Sequence, residues 1–280
     1  MLLINLFMAL DRVVLDIPHG GQQAPSREVR SHLHPDIRPI DLYREADLYS
    51  TGFYINQPDI PERNKIVMHQ LRAIVDVNRE LDDFSPDGVV KTQTSRGQQL
   101  YLNQAGLSPR QRQQLVESYA RPYMDKLERA VENPATRLVT LCHTMDPIGP
   151  ATRASAGKKR PLILIANGGD NAGNPEKPYQ LPRHLMEQIK AEIESRIREL
   201  NLDSTVISNG QIVSFNSPYR GAKSIDRIGP QRLYGKKAFM IEVNKSLVMD
   251  YKSLRQTNPK NIAVIRDIIG QVIEKVLGKL

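Results

Sequence analysis

Two histidines stand where apolar runs give way to polar turns. His19 follows Val13–Pro18 and precedes Gly20-Gly21; His143 ends the run Leu138-Val139-Thr140-Leu141-Cys142 and leads into Thr144-Met145-Asp146-Pro147. Imidazoles delivered by strands to one edge of a sheet, joined by a carboxylate, match what a catalytic zinc needs. That donor set is three nitrogen or oxygen ligands with one position left for water. The separation of the two histidines names no metal by itself. His32 and His34 lie in a polar loop, His69 in a strand-like run and His184 near a helix start, and none carries a comparable signal.

Glu242 lies within Ala238-Phe239-Met240-Ile241-Glu242-Val243-Asn244, an otherwise apolar run. A carboxylate buried there without a partner is costly, so it should face a metal, a cation or an active-site water. Beside an activated water it would serve as a general base; the plainer reading is a surface ion pair at a strand end. Asn78-Arg79 closes another apolar run. An arginine fork there can hold a carboxylate through two parallel bonds, or make a structural salt bridge. Arg220, in Pro218-Tyr219-Arg220-Gly221, is the candidate for a second carboxylate or the tetrahedral oxyanion.

The elements that must position these groups alternate. Apolar runs over 13–18, 73–77, 138–142, 162–166 and 239–243 predict strands. Ser108-Pro109 predicts a capped helix start running to about Val131, with a kink at Pro122. Leu185, Ile189, Ile193 and Ile197 stripe a helix over 181–200, and Asn258-Pro259 opens a last helix marked by Ile262, Ile265, Ile269, Val272, Val276 and Leu280. Such alternation predicts an α/β fold: a mixed, largely parallel sheet with helices on both faces. Without an internal repeat or long linker, residues 1–280 read as a single domain.

A chain of 280 residues can bury a large core, and its 40% apolar and 25% charged residues are ordinary globular usage. Cys142 is the only cysteine, which excludes an internal disulfide and fits a reducing, cytoplasmic setting. Met1–Leu10 is apolar but too short to span a bilayer; it reads as a first strand or helix packed on the core, with no membrane association. A net charge of +8 raises the question of nucleic acid. No cysteine cluster, helix-turn-helix or phosphate loop supports that partner, and aromatic residues are 5%. Arg79, Arg96, Arg153, Lys158, Lys159, Arg160 and Arg220 instead suit the surround of a small carboxylate substrate.

Taken in order, Asp16-Ile17-Pro18-His19-Gly20-Gly21, Val75-Asp76-Val77-Asn78-Arg79, Gly97-Gln98-Gln99-Leu100-Tyr101, Leu141-Cys142-His143-Thr144-Met145, Asn216-Ser217-Pro218-Tyr219-Arg220-Gly221 and the segment 241–250 resemble the N-formylglutamate amidohydrolase family. The resemblance implies a zinc carboxypeptidase and phosphorylase/hydrolase-like fold with zinc as cofactor. It implies His19 and His143 as ligands, Asn78 and Arg79 on a substrate carboxylate, and Glu242 activating water. Gln22 stands where zinc carboxypeptidases carry a ligating glutamate, so the third ligand is expected from Arg44-Glu45-Ala46-Asp47, with Asp47 ahead of Glu45. Thr144, Lys245 and Val248 depart from residues common in the family. The expected reaction is hydrolysis of an N-acyl amino acid, by default N-formyl-L-glutamate to glutamate and formate. The alternatives are a zinc carboxypeptidase or cell-wall peptide amidase, and a non-catalytic anion- or nucleic-acid-binding protein.

Overall fold

The structure, a computed structural model, describes residues 10–57, 59–103, 106–152, 154–199, 211–257 and 259–280. The expected N-terminal element over 1–10 therefore lies almost wholly outside the described residues, as do Arg153 and Asn258. Six strands form one sheet: β1 (Val13–Ile17), β2 (Lys65–Val67), β3 (Leu138–Met145), β4 (Ile163–Ala166), β5 (Val213–Phe215) and β6 (Lys237–Asn244). Their order is β2-β1-β3-β6-β4-β5. The first four of that order run parallel; β4 and β5 are parallel to each other and antiparallel to β6. The mixed, mostly parallel sheet is the one expected.

Every residue of β1, β3 and β4 is buried. Successive strand side chains point to opposite faces, so both faces of the sheet are covered. Helices α1 (Arg27–Ser31) and α2 (Pro39–Glu45) lie between β1 and β2 in the chain, and α3 (Pro109–Leu115) and α4 (Arg121–Glu132) between β2 and β3. Helices α5 (Arg183–Arg198), α6 (Ala222–Asp226) and α7 (Pro259–Leu277) follow. Helix α4 packs on β1 and β2, while α5 and α7 pack on each other and α7 on a π-turn at Thr51–Ile55. The stripe of α5 is buried as expected. Leu280, counted in the stripe of α7, falls beyond the helix and is 41% exposed.

One expectation is corrected and another refined. Residues 73–77 are buried but form no strand; Ile74 and Val75 donate their backbone N–H groups back to the Leu71 carbonyl, and Asp76 to Val89. A short apolar run records burial, and burial is equally met by a turn tucked under the sheet. The helix from Ser108 does start as predicted, its hydroxyl accepting from Gln111 N while the Gln111 side chain accepts from Ser108 N. It then widens into a π-turn at Val116–Ala120 before α4. Pro122 stands in the first turn of α4, where its missing N–H and bulky ring are tolerated only if the preceding turn opens.

The order of the strands sets the site. From β1 the chain moves outward to β2, then returns to place β3 on the other side of β1. The carboxyl ends of β1 and β3 therefore border a crevice at a topological switch point. Close approach at that edge depends on Gly21: a Cβ there would lie 2.4 Å from the His69 carbonyl oxygen.

A candidate metal centre at the carboxyl edge

His19 follows β1 and His143 lies near the end of β3, so both imidazoles reach the crevice. Asp47 arrives from the turn after α2, its backbone N–H donating to the His19 carbonyl at 2.9 Å. The two Nδ1 atoms are 3.2 Å apart, and Asp47 Oδ2 lies 3.7 Å from His19 Nδ1 and 3.5 Å from His143 Nδ1. Donors bound tetrahedrally at about 2.0–2.1 Å are spaced ~3.4 Å apart. The three atoms thus outline one face of a coordination shell.

Their chemistry fits as well as their spacing. Thr144 donates to Asp47 Oδ1 at 2.9 Å, leaving Oδ2 buried without a hydrogen-bond partner. Burial would raise the Asp47 carboxyl, yet His143 and His19 outweigh it and hold the group well below the usual range, as a carboxylate. His143 is pushed down by burial and by His19 against Asp47, so its ring is neutral and able to donate a lone pair.

His19 is oriented from behind. Its Nε2 lies 2.8 Å from Asp76 Oδ1, and Asp76 is fully buried. Burial opposes the charge on Asp76, but Arg72, His19 and Lys91 hold its carboxyl well below the usual range. A carboxylate accepts only, so Nε2 carries the proton and the Nδ1 lone pair faces Asp47. Arg72 Nε donates to the other Asp76 oxygen at 3.0 Å, and Lys91 Nζ stands 3.3 Å from it.

Glu45, the alternative ligand, is turned away. Its oxygens accept from the Ser95 amide at 3.1 Å and from the Ser95 hydroxyl at 2.7 Å, with Arg96 at 3.9 Å. Among the described residues, His19, Asp47 and His143 alone form a cluster of metal-ligating type.

Glu242 sits in β6 directly opposite His143 in the register of β3, so the two share a face. No described residue hydrogen-bonds or ion-pairs with its carboxylate. Burial and the Asp47 charge push that carboxyl up to about 8, against the pull of Arg160, Arg72 and Lys245. A cavity of about 470 Å³ opens over these groups. It is lined by Asn78 and by Arg72, Arg79, Arg160, Arg220, Lys223 and Lys245, against Glu45, Asp47, Asp146 and Glu242.

The expected carboxylate binders are differently disposed. Arg79 reaches the cavity while donating to the Asp87 carbonyl (2.7 Å), the Asn78 carbonyl (2.8 Å) and the Asp87 carboxylate (3.0 Å). Asn78 Oδ1 is buried without a partner. Arg220 donates to the Gly169 carbonyl at 2.7 Å and to Glu176 at 2.6 Å, half exposed at the mouth. Arg72, which was not singled out, lines the cavity with its two terminal nitrogens unbonded by any described residue. Of the other loop cations, Arg96 turns to Glu45 and Asp146, while Lys158 and Lys159 are exposed. Asp76 and Arg72 could have been suspected from Arg72-Ala73-Ile74-Val75-Asp76, two charges bracketing an apolar run.

A family model described as N-formylglutamate amidohydrolase matches residues 11–249. Among solved structures, an N-formylglutamate amidohydrolase from Ralstonia eutropha JMP134 has a TM-score of 0.68 at 16% identity, covering 96% of this chain and 93% of that one. A gene product from Agrobacterium tumefaciens has a TM-score of 0.64, also at 16% identity, covering 98% of this chain and 93% of that one. At such identity the likeness is one of fold. Among curated proteins none matches.

Proposed function

Because the chain belongs to the N-formylglutamate amidohydrolase family and is a hydrolase of an amide C–N bond, we propose that it cleaves N-acyl amino acids, with N-formyl-L-glutamate as the reference substrate and zinc as cofactor. The observation that carries this reading is the convergence of His19 Nδ1, His143 Nδ1 and Asp47 Oδ2, with Glu242 beside them. Two imidazoles and a carboxylate are a donor set of catalytic zinc sites. When bound, such a cation supplies Lewis acidity, polarising a carbonyl and acidifying water.

The remaining work falls to the chain. Asn78 and Arg79 bind the carboxylate on the substrate's Cα and so fix the scissile bond over Glu242. The Glu242 carboxylate accepts a proton from water as the water oxygen bonds to the amide carbon. It returns that proton to nitrogen as the C–N bond breaks, releasing a carboxylic acid and a free amine. Arg72, next to the ligands through Asp76, faces the oxygen on which negative charge develops. Arg220, at the mouth, meets an incoming anion.

The continuous core joining the elements that bear these groups supports reading residues 1–280 as one amidohydrolase domain. No helix among the described residues is long and apolar enough to cross a membrane. Cys142 is buried and free, in keeping with a cytoplasmic setting.

The test is turnover by zinc-loaded protein of N-formyl-L-glutamate, other N-acyl amino acids and short peptides. Release of amine from the first two classes supports the reading. Cleavage of peptides alone would move the assignment to a peptide amidase, and inactivity on all of them would defeat it.

A further inference from the structure

His143 and Glu242 are register partners inside the sheet, where backbone pairing fixes them. Asp47 has no such ladder behind it: it follows the end of helix α2 by two residues. Its own anchors are the backbone bond to the His19 carbonyl and the bond its carboxylate accepts from Thr144. The placement of the α2 end against the two strands therefore decides whether the Asp47 carboxylate meets the two imidazoles.

Lys245 stands at that junction. It is the first residue after β6, as Asp146 is the first after β3. Met145 pairs with Asn244, so the two charged residues continue the ladder by one rung. Lys245 is 3% exposed, and its Nζ donates to Asp146 Oδ1 at 2.9 Å and to the Arg44 carbonyl at 3.2 Å. That carbonyl belongs to the last turn of α2, where carbonyls lack partners within the helix and the dipole presents its negative end. An ammonium has three donors on one point charge, so it can join a carboxylate and a carbonyl arriving from different directions. Asp146 is held in turn. Tyr251 donates to its Oδ2 at 2.5 Å, and Arg96 stands 3.8 Å away. Burial opposes the charge on Asp146, yet Lys245, Tyr251 and Arg96 hold its carboxyl below the usual range.

One buried ammonium thus joins the strand end after His143, the strand end after Glu242 and the helix end before Asp47. Asp146, Lys245 and Arg44 each lie three residues from the group in question. An ion pair with Asp146 alone would serve stability; the bond to Arg44 is what connects the lysine to the centre. Resting on the zinc amidohydrolase reading, we infer that Lys245 is a positioning residue. It clamps α2 to β3 and β6 and so sets where Asp47 meets the imidazoles and Glu242.

The experiment measures zinc affinity by chelator competition and the visible absorption of cobalt-loaded protein. The proteins compared are wild type, Lys245→Met and the double variant Lys245→Met with Asp146→Asn. Methionine keeps much of the stem and removes the charge. Lys245→Met should weaken zinc binding by about 10- to 100-fold, the scale of losing an outer partner of a ligand, and should shift the cobalt bands. Its kcat on N-formyl-L-glutamate should fall by about 10²-fold with KM little changed, as for a reacting group displaced by about 1 Å. The double variant separates the clamp from the charge. It strands no buried carboxylate, yet nothing holds the Arg44 carbonyl, so the weaker zinc binding should persist.

Wild-type zinc affinity and cobalt bands in a folded Lys245→Met protein overturn the inference. Full recovery in the double variant also overturns it, by assigning the effect to a stranded Asp146 charge. Should Lys245→Met fail to fold, the double variant decides alone, since exchanging a buried ion pair for neutral side chains of similar volume is often neutral for stability. Inactivity on every amide with zinc bound defeats the amidohydrolase reading and leaves the metal readouts in force. If wild type binds neither metal, the zinc reading fails and hydrogen exchange decides the clamp. The Ala46 and Asp47 amides should then lose protection relative to those of β3 in the double variant, and unchanged protection overturns it.

Discussion

His143 and Glu242 face one another across two neighbouring parallel strands, each the register partner of the other. One belongs to the cluster that could hold a metal ion and the other is a carboxylate that no described residue bonds. Backbone pairing between β3 and β6 therefore sets the distance between the imidazole proposed as a ligand and the carboxylate proposed as a base, with no flexible loop intervening. Tyr54 reinforces the arrangement, its buried hydroxyl lying 2.9 Å from the His143 carbonyl and 3.1 Å from that of Ile241.

Replacing Glu242 with glutamine should separate chemistry from metal binding. The amide keeps the shape of the side chain and cannot accept a proton. Turnover should fall by about 10²–10⁴-fold, with zinc content by mass spectrometry matching wild type. Retained activity would remove Glu242 from the base role.

Metal content should also discriminate between the two carboxylates of the α2 turn. His19→Ala, His143→Ala and Asp47→Asn should each lose most of the bound zinc after dialysis. Glu45→Gln should retain it, since Ser95 rather than the cluster takes the Glu45 oxygens. Loss of zinc in Glu45→Gln with retention in Asp47→Asn would reverse the assignment.

Asp76→Asn should weaken zinc binding by about 10- to 100-fold in a chelator competition, although Asp76 touches no metal. The amide can present either an acceptor or a donor to His19, so the ring loses its enforced tautomer. A variant with wild-type zinc affinity would show that Asp76 merely packs.

The Glu242 carboxyl gives a pH signature in the metal-free protein. Its folded pKa of about 8 stands above the 4.5 of an exposed glutamate. Between those values the folded chain keeps a proton that the unfolded chain has released, so stability falls as pH rises through the window. Glu242→Gln removes that contribution. With chelator present, the variant's melting temperature should therefore gain on wild type between about pH 5 and about pH 8. A constant difference would contradict the buried, Asp47-coupled carboxyl.

Much of the centre was legible in the order of residue types. An apolar run ending in histidine reads as a strand that brings an imidazole to the sheet edge, and β1 and β3 do this for His19 and His143. Glu242 was legible for the same reason, as a charge inside an apolar strand. The run before Asn78 misled, because burial alone does not distinguish a strand from a tucked turn. Asp76 and Arg72 went unread as site residues because their roles depend on which oxygen meets which nitrogen across the fold. Arg160 is less legible still: its place depends on β4 running opposite to β6, and strand direction leaves no mark on composition.

The donor atoms of the centre belong to segments far apart along the chain: the end of β1, the turn after α2 and the end of β3. They meet only once β3 has docked on β1, a contact that encloses all the intervening chain. Closing such a loop costs entropy before it returns any contact energy, which places the step late in folding. Zinc uptake followed in real time during refolding would thus act as a clock for the sheet, its signal rising with completion of the topology rather than with the earlier appearance of helices.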